Sequence, residues 1–221
     1  MWLNTNWKDQ TMSDIILQGT PEWLELRKGH VTASRVADIM AKTKTGPSAS
    51  RQNYLIELAI QRVTGIIEES YKNDAMIRGQ EEEPKAREAY ESITKTFVEE
   101  LPFVKHKTIE WFGASPDGII KNNDGTYNLL EIKNPNSATH WSYIKEGEIP
   151  TKYKIQMMAQ MACTGAQWCD FFSYDSRMPD GSRYFLARLP RDASFIDDME
   201  KEVKAFLEEV AHETKLMENR A

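Results

Sequence analysis

Apolar residues recur at helical spacing, then at strand spacing, then at helical spacing again. Thr20-Pro21-Glu22-Trp23-Leu24-Glu25-Leu26-Arg27-Lys28-Gly29 predicts a short helix, with a capping Thr, Pro at the first helical position, an early acid and Gly at its end. Val31-Thr32-Ala33-Ser34 leads into a second helix bearing Val36, Ile39 and Met40. Tyr54, Leu55, Leu58 and Val63 share one face of a helix from Asn53 to Val63, which Gly65 stops. Gly79-Gln80-Glu81-Glu82-Glu83-Pro84 is expected to open a further helix carrying Ala86, Tyr90 and Ile93. The period then falls to two. Phe103 to Phe112, Ile119 to Lys121 and Tyr127 to Lys133 read as strands, with Asn122-Asn123-Asp124-Gly125 as a hairpin turn. Helical spacing returns over His140 to Glu146 and Lys152 to Cys163. Strands from Gln167 to Tyr174 and Arg183 to Leu189 flank the turn at Met178-Pro179-Asp180-Gly181. Phe195, Met199, Val203, Phe206 and Val210 mark a last amphipathic helix. This order predicts an α/β fold with a central mixed β-sheet flanked by helices. Residues 1–12 read as an N-terminal arm and 13–221 as a single domain.

Composition narrows the class. The chain has 221 residues, 40% of them hydrophobic, which suits one core. No apolar run is long enough for a transmembrane helix, and MWLNTNWKDQ lacks the pattern of a secretory signal. Two cysteines, Cys163 and Cys169, make neither a disulfide framework nor a four-ligand zinc site, so a reducing, cytoplasmic setting is expected. A net charge of -6 argues against a broadly basic nucleic-acid face. The acids concentrate in about 70–100 and in the last thirty residues, whereas Arg27 to Arg51 and Lys133 to Lys154 are neutral to basic. A local nucleic-acid surface therefore fits, and the loop from Lys42 to Arg51 would lie over DNA or stay solvated. Trp111, Phe112, Trp141 and Tyr143 are expected in the core and His106 on the surface, while His30, His140 and His212 lack metal-ligand spacing.

The candidate chemistry sits on one hairpin. Ser115-Pro116-Asp117-Gly118 bends into a strand, and Glu131-Ile132-Lys133 lies on the return strand. Alternation puts Glu131 and Lys133 on one face and Ile132 on the other, in the core. Hairpin register brings Asp117 toward Glu131. Phosphodiester hydrolysis commonly uses a divalent cation held by carboxylate and carbonyl oxygens. Asp117, Glu131 and the Ile132 carbonyl would supply such oxygens. Lys133 beside them would position water and stabilise developing charge, and with a lowered pKa it would also take a proton. Pro-Asp-Gly alone is a routine turn, and Glu-x-Lys alone a solvated strand edge. Their combination after Leu129-Leu130, an apolar approach ending in charge, points to a cleft.

Ser115-Pro116-Asp117-Gly118 followed by Leu130-Glu131-Ile132-Lys133 resembles the PD-(D/E)xK nuclease signature. Trp23-Leu24-Glu25-Leu26-Arg27-Lys28-Gly29 with Val31-Thr32-Ala33-Ser34 resembles the N-terminal block of the lambda exonuclease or YqaJ-like viral recombinase family. So do Gly79-Gln80-Glu81-Glu82-Glu83 with Ala86-Arg87, Tyr153-Lys154-Ile155-Gln156, and Tyr174-Asp175-Ser176-Arg177-Met178. The likeness runs from about Ser13 to Met178. It implies a restriction-endonuclease-like core with Asp117, Glu131 and the Ile132 carbonyl as metal ligands, Lys133 as the catalytic lysine and Glu83 as an early helical acid. It implies a pocket for a DNA 5′-phosphate from Arg27, Ser34 and Ser115. Gln156 matches a family glutamine near the site. A second would fall at Met158, so Gln160, one turn beyond Gln156, is expected to stand in for it. The resemblance further implies Mg²⁺ with Mn²⁺ as a substitute, and 5′→3′ exonuclease action on linear double-stranded DNA ends. This would leave a 3′ overhang for phage-type recombination. The expected assembly is a ring-shaped homotrimer, with a single-strand annealing protein as partner, in the host cytoplasm if phage-encoded. The rivals are a restriction-like endonuclease or resolvase on the same core, and a catalytically inactive DNA-end-binding protein.

Overall fold

A computed structural model describes residues 16, 18–44, 46–68, 74–122 and 124–220; the arm expected at residues 1–12 and turn residue Asn123 lie outside them. In chain order the elements are α1 (Pro21–Arg27), β1 (Val31–Thr32), a 3-10 turn at Ala33–Arg35, α2 (Val36–Met40), β2 (Lys42–Thr43), β3 (Gly46–Pro47), α3 (Ala49–Thr64) and α4 (Asp74–Thr94). There follow β4 (Val104–Lys105), β5 (Phe112–Ala114), β6 (Gly118–Lys121), β7 (Tyr127–Lys133), α5 (Ser137–Glu146), α6 (Thr151–Thr164), β8 (Trp168–Tyr174), β9 (Tyr184–Pro190) and α7 (Ala193–Glu218).

The caps follow local chemistry. Thr20 accepts from the Trp23 N–H at the start of α1, and Ser48 from the Arg51 N–H at the start of α3. Gly65 ends α3 at φ 69°, where a side chain would be strained.

The main sheet has the order β6-β7-β8-β9. Its β6–β7 and β8–β9 pairs are antiparallel, whereas β7 and β8 run parallel, with Glu131 beside Phe171. That parallel pair needs a crossover, which α5 and α6 supply. Strand β7 is buried from Asn128 through Ile132 because both its faces are covered. Leu129 faces the larger core, built with Tyr54 and Leu58 of α3, Met157 and Met161 of α6, and Met199, Val203 and Phe206 of α7. Leu130 and Ile132 face a second core with Ala86 and Tyr90 of α4 and Phe172 of β8. Each such fully buried side chain contributes about 1.5–3 kcal/mol.

Several expectations are corrected. The strands form more than one central sheet: β1-β5-β4 is a separate three-stranded sheet, and β2 pairs with β3 alone. Phe103 to Phe112 is not one strand, because the chain turns between β4 and β5 and Trp111 takes φ 62°. His106 builds that turn. Its Nδ1 accepts the N–H groups of Thr108 and Ile109, and its ring packs on Phe112 and Glu200 with 6% of the side chain exposed. Alternating charges around it suggested surface, but a turn folds the imidazole inward. Helix α4 begins at Asp74, before Gly79, and carries Pro84 within it at the loss of one backbone hydrogen bond. The basic stretch Lys42 to Arg51 is a short hairpin plus the first turn of α3. There Lys42 pairs with Glu202, and Arg51 with Glu209 through two hydrogen bonds. Tyr143 is buried as expected, but Trp141 is 44% exposed.

Candidate active site

The β6–β7 register sets Gly118 opposite Leu130, so Asp117, one residue earlier, meets the end of β7. Its Oδ2 accepts the Ile132 N–H at 2.7 Å. Glu131, fully buried, accepts Gln156 Nε2 at 2.6 Å on one oxygen and Gln160 Nε2 at 2.5 Å on the other. Gln156 and Gln160 are one turn apart on α6 and hold both carboxylate oxygens from the same side. Met158, where a second glutamine was sought, instead points into the core. Lys133 Nζ forms an ion pair with Glu131, donates to the Ile132 carbonyl at 3.0 Å, and lies 4.0 Å from Asp117 Oδ2. Three oxygen groups thus surround one cation.

The electrostatics follow from burial and crowding. Burial, then the neighbouring Glu131 charge, raises the Asp117 carboxyl well above its usual range; Lys133 and the Ile132 N–H only partly offset this. Burial pulls the Lys133 amine down, but Glu131 and Asp117 outweigh it and raise the amine. In this arrangement Lys133 donates to the Ile132 carbonyl and pairs with the Glu131 carboxylate. Glu83 on α4 pairs with Arg87 at 3.1 Å and lies outside the cavity wall. Its carboxyl is raised chiefly by burial, and it feels both Lys133 and Glu131. Glu82 turns away to Lys85 and Ser176, and Glu81 is exposed, so Glu83 is the acid directed toward this group.

A cavity of about 150 Å³ adjoins the carboxylates. Asp117, Glu131, Lys133, Gln156 and Gln160 line one part, and Arg27, Ser34 and Ser115 the other. Sequence reasoning missed Gln18, Trp23, Thr32 and Ala33 in its wall. Trp23, Thr32 and Ala33 stood inside the N-terminal block that carried the family likeness, whereas Gln18 had no signal. Trp23 Nε1 donates to Ser115 Oγ at 3.0 Å, and the Arg27 guanidinium lies 3.8 Å over the Trp23 ring. Gln18 Nε2 donates to the Pro116 carbonyl at 2.8 Å, tying the same bend. Burial lowers Arg27 to about 10, so it stays cationic at neutral pH. Among the described residues no carboxylate lies at ion-pair distance from it. Ser34 belongs to the 3-10 turn rather than capping a helix, and its hydroxyl lies 3.4 Å from that of Thr32.

Among the described residues no three His, Cys, Asp or Glu side chains gather as a metal cluster. Here the oxygens come from two carboxylates and one main-chain carbonyl. Such hard donors already face a cation, and they suit a divalent ion of the Mg²⁺ kind. The crowding of Asp117 against Glu131 is the strain that added positive charge relieves.

Fold and site together define a mixed α/β domain that presents two acids and a lysine at a strand end, beside a pocket of hydrogen-bond donors. The chain belongs to the YqaJ-like viral recombinase domain family, whose sequence profile matches residues 22–167. It is 49% identical to an alkaline exonuclease from Laribacter hongkongensis, LHK-Exo, over 91% of this chain and 97% of that one, with a TM-score of 0.84. The same figures hold for LHK-Exo solved in complex with dAMP. A phage-related exonuclease from Haemophilus somnus 129PT shares the fold at 14% identity and a TM-score of 0.66, over 87% of this chain and 96% of that one. No curated protein sequence matches significantly. Among the described residues no helix is long and apolar enough to cross a membrane.

Proposed function

We propose that this chain is a metal-dependent alkaline exonuclease that degrades one strand of linear duplex DNA from its 5′ end. The observation that carries this reading is a single cavity. Its carboxylate end, with Lys133, is suited to hydrolysis, and its other end offers Arg27, Ser34 and Ser115 to an anion. An endonuclease has no use for a terminal-anion pocket beside the scissile bond. An inactive end-binding protein has no use for two acids and an amine converging on one point.

Asp117, Glu131 and the Ile132 carbonyl would hold Mg²⁺, or Mn²⁺ in its place, on a restriction-endonuclease-like PD-(D/E)xK core. When bound, such an ion polarises the phosphodiester and makes water more acidic. Lys133, cationic here, orients the attacking water and stabilises negative charge at the phosphoryl oxygens. Gln156 and Gln160 keep Glu131 in place, and Glu83 adds negative field from α4. Arg27 meets phosphate oxygens with its planar fork, and Ser34 and Ser115 add hydroxyl donors. A 5′-terminal phosphate fixed there sets which bond lies over the acids, so cleavage proceeds from the end. The complex of LHK-Exo with dAMP supports a nucleotide-sized occupant. The family likeness supports a 3′ overhang used in phage-type recombination, a ring-shaped homotrimer and a single-strand annealing partner.

The deciding experiment is digestion, with Mg²⁺, of end-labelled linear duplex bearing either a 5′-phosphate or a 5′-hydroxyl, beside a covalently closed circle. Release of nucleotides from phosphorylated 5′ ends with the circle intact is expected. Cutting of the circle, or preference for hydroxyl ends, overturns the reading.

A further inference from the structure

We infer that Trp23 is the positioning residue of the terminal-phosphate pocket: its indole N–H fixes the Ser115 hydroxyl as a donor, and its ring face carries the Arg27 guanidinium. The inference rests on the phosphate-pocket reading above and goes further by naming what makes that pocket select an anion.

An indole N–H only donates, so at 3.0 Å from Trp23 Nε1 the Ser115 oxygen must accept. A serine hydroxyl has a single hydrogen. With a lone pair engaged by the indole, that hydrogen is directed to another acceptor, and the cavity that Ser115 lines is open to one. The same ring acts on Arg27. A guanidinium 3.8 Å over an aromatic face is held in place by that contact, and its N–H groups stay available for hydrogen bonds. Trp23 therefore turns two flexible polar groups into donors of fixed aim, and an anion with several acceptor oxygens matches them. A hydroxyl terminus, with one oxygen, does not.

A purely structural Trp23 would pin α1 onto the bend before β6, and its loss would harm every substrate alike. The test separates these cases by an internal ratio. On one preparation of each protein, kcat and KM are measured for duplexes ending in 5′-phosphate and in 5′-hydroxyl. Trp23→Phe keeps an aromatic face but loses the N–H. We expect it to lower the phosphate-to-hydroxyl preference about tenfold, the scale of one hydrogen bond to a charged group, with the loss in KM for phosphorylated ends. Ser115→Ala is expected to lower the ratio similarly, and Trp23→Phe to add little in the Ser115→Ala background. Trp23→Leu, which also removes the ring beneath Arg27, is expected to lower it further. An unchanged ratio in Trp23→Phe, equal losses on both ends, or full additivity with Ser115→Ala overturns the inference while leaving the pocket standing. A wild-type protein indifferent to the 5′-phosphate removes the pocket itself, and the inference with it. Because both ends are assayed on the same preparation, partial misfolding cancels in the ratio.

Discussion

Gln160→Met tests whether the buried carboxylate of Glu131 is held by α6. Glu131 is 0% exposed, and so is Gln160, whose Nε2 donates to one of its oxygens. Met matches Gln in length but donates nothing. With both side chains at 0% exposure, cavity water replaces the lost bond poorly, so a charged acceptor is left short of a partner. The cost is about 1.5–3 kcal/mol in folding stability. Gln156→Met removes the partner of the other oxygen, but Gln156 is only part-buried, and solvent at the cavity refills that bond. It should cost under about 1 kcal/mol. Function follows the same asymmetry. A carboxylate free to rotate binds a divalent ion less well, and losing such a support typically weakens metal affinity about 10–100-fold. Urea unfolding gives the first quantity, and activity titrated against Mg²⁺ the second. If the two variants lose equal stability, or if Gln160→Met needs no more Mg²⁺ than wild type, α6 does not hold Glu131 as argued.

Three further outcomes are expected. Lys133→Ala should abolish Mg²⁺-dependent digestion while leaving duplex binding measurable in a mobility-shift assay; undiminished digestion would falsify its proposed role. Burial holds His30, packed against Phe103 and Trp111, down to about 4, below the 6.5 it has when unfolded. The unfolded chain therefore protonates first, so this stability contribution is full above pH 6.5 and falls as pH drops toward 4, by at most about 3 kcal/mol. Urea midpoints at pH 7 and 4.5 should drop less in His30→Phe than in wild type, and equal drops would refute the assignment. Arg51→Met removes a pair whose Glu209 partner is 47% exposed, so after solvent screening it should cost about 1 kcal/mol of stability. DNA affinity in a mobility-shift assay should not change, and a marked loss would return Arg51 to the DNA surface.

Local signals told most where neighbours in sequence decide the structure. Thr20-Pro21 with Gly29 marked α1, and Asn122 to Gly125 marked the β6–β7 turn, because caps and tight turns depend on a few adjacent residues. Period-two spacing on β7 told which way Glu131 and Ile132 point. Long-range closure was not legible. Nothing local says that His106 folds back onto Glu200, nor that Lys42 and Arg51 find acids on α7. The start of α4 at Asp74 was hidden because Gly79 and Pro84, normally breakers, sit inside a helix held by packing of Ala86 and Tyr90. Trp23 illustrates the same limit at the site. Its apolar bulk reads as core, and only the fold sets its N–H against a serine 92 residues away.

The acidic balance of the chain, -6 overall, takes on a definite meaning once the cations are traced. Between Arg27 and Arg51, Lys28 pairs with Glu25, Arg35 with Asp38 and Glu57, Lys42 with Glu202 and Arg51 with Glu209. The stretch that looked basic is therefore largely neutralised within the molecule. Arg27 differs: it rests on an indole, not a carboxylate, and lines the cavity. Affinity for DNA through many surface phosphates needs many unspent cations, since each contact contributes by releasing counterions. From Arg27 to Arg51, the charge that meets no carboxylate is therefore placed chiefly at the cavity, on Arg27, rather than spread over the surface.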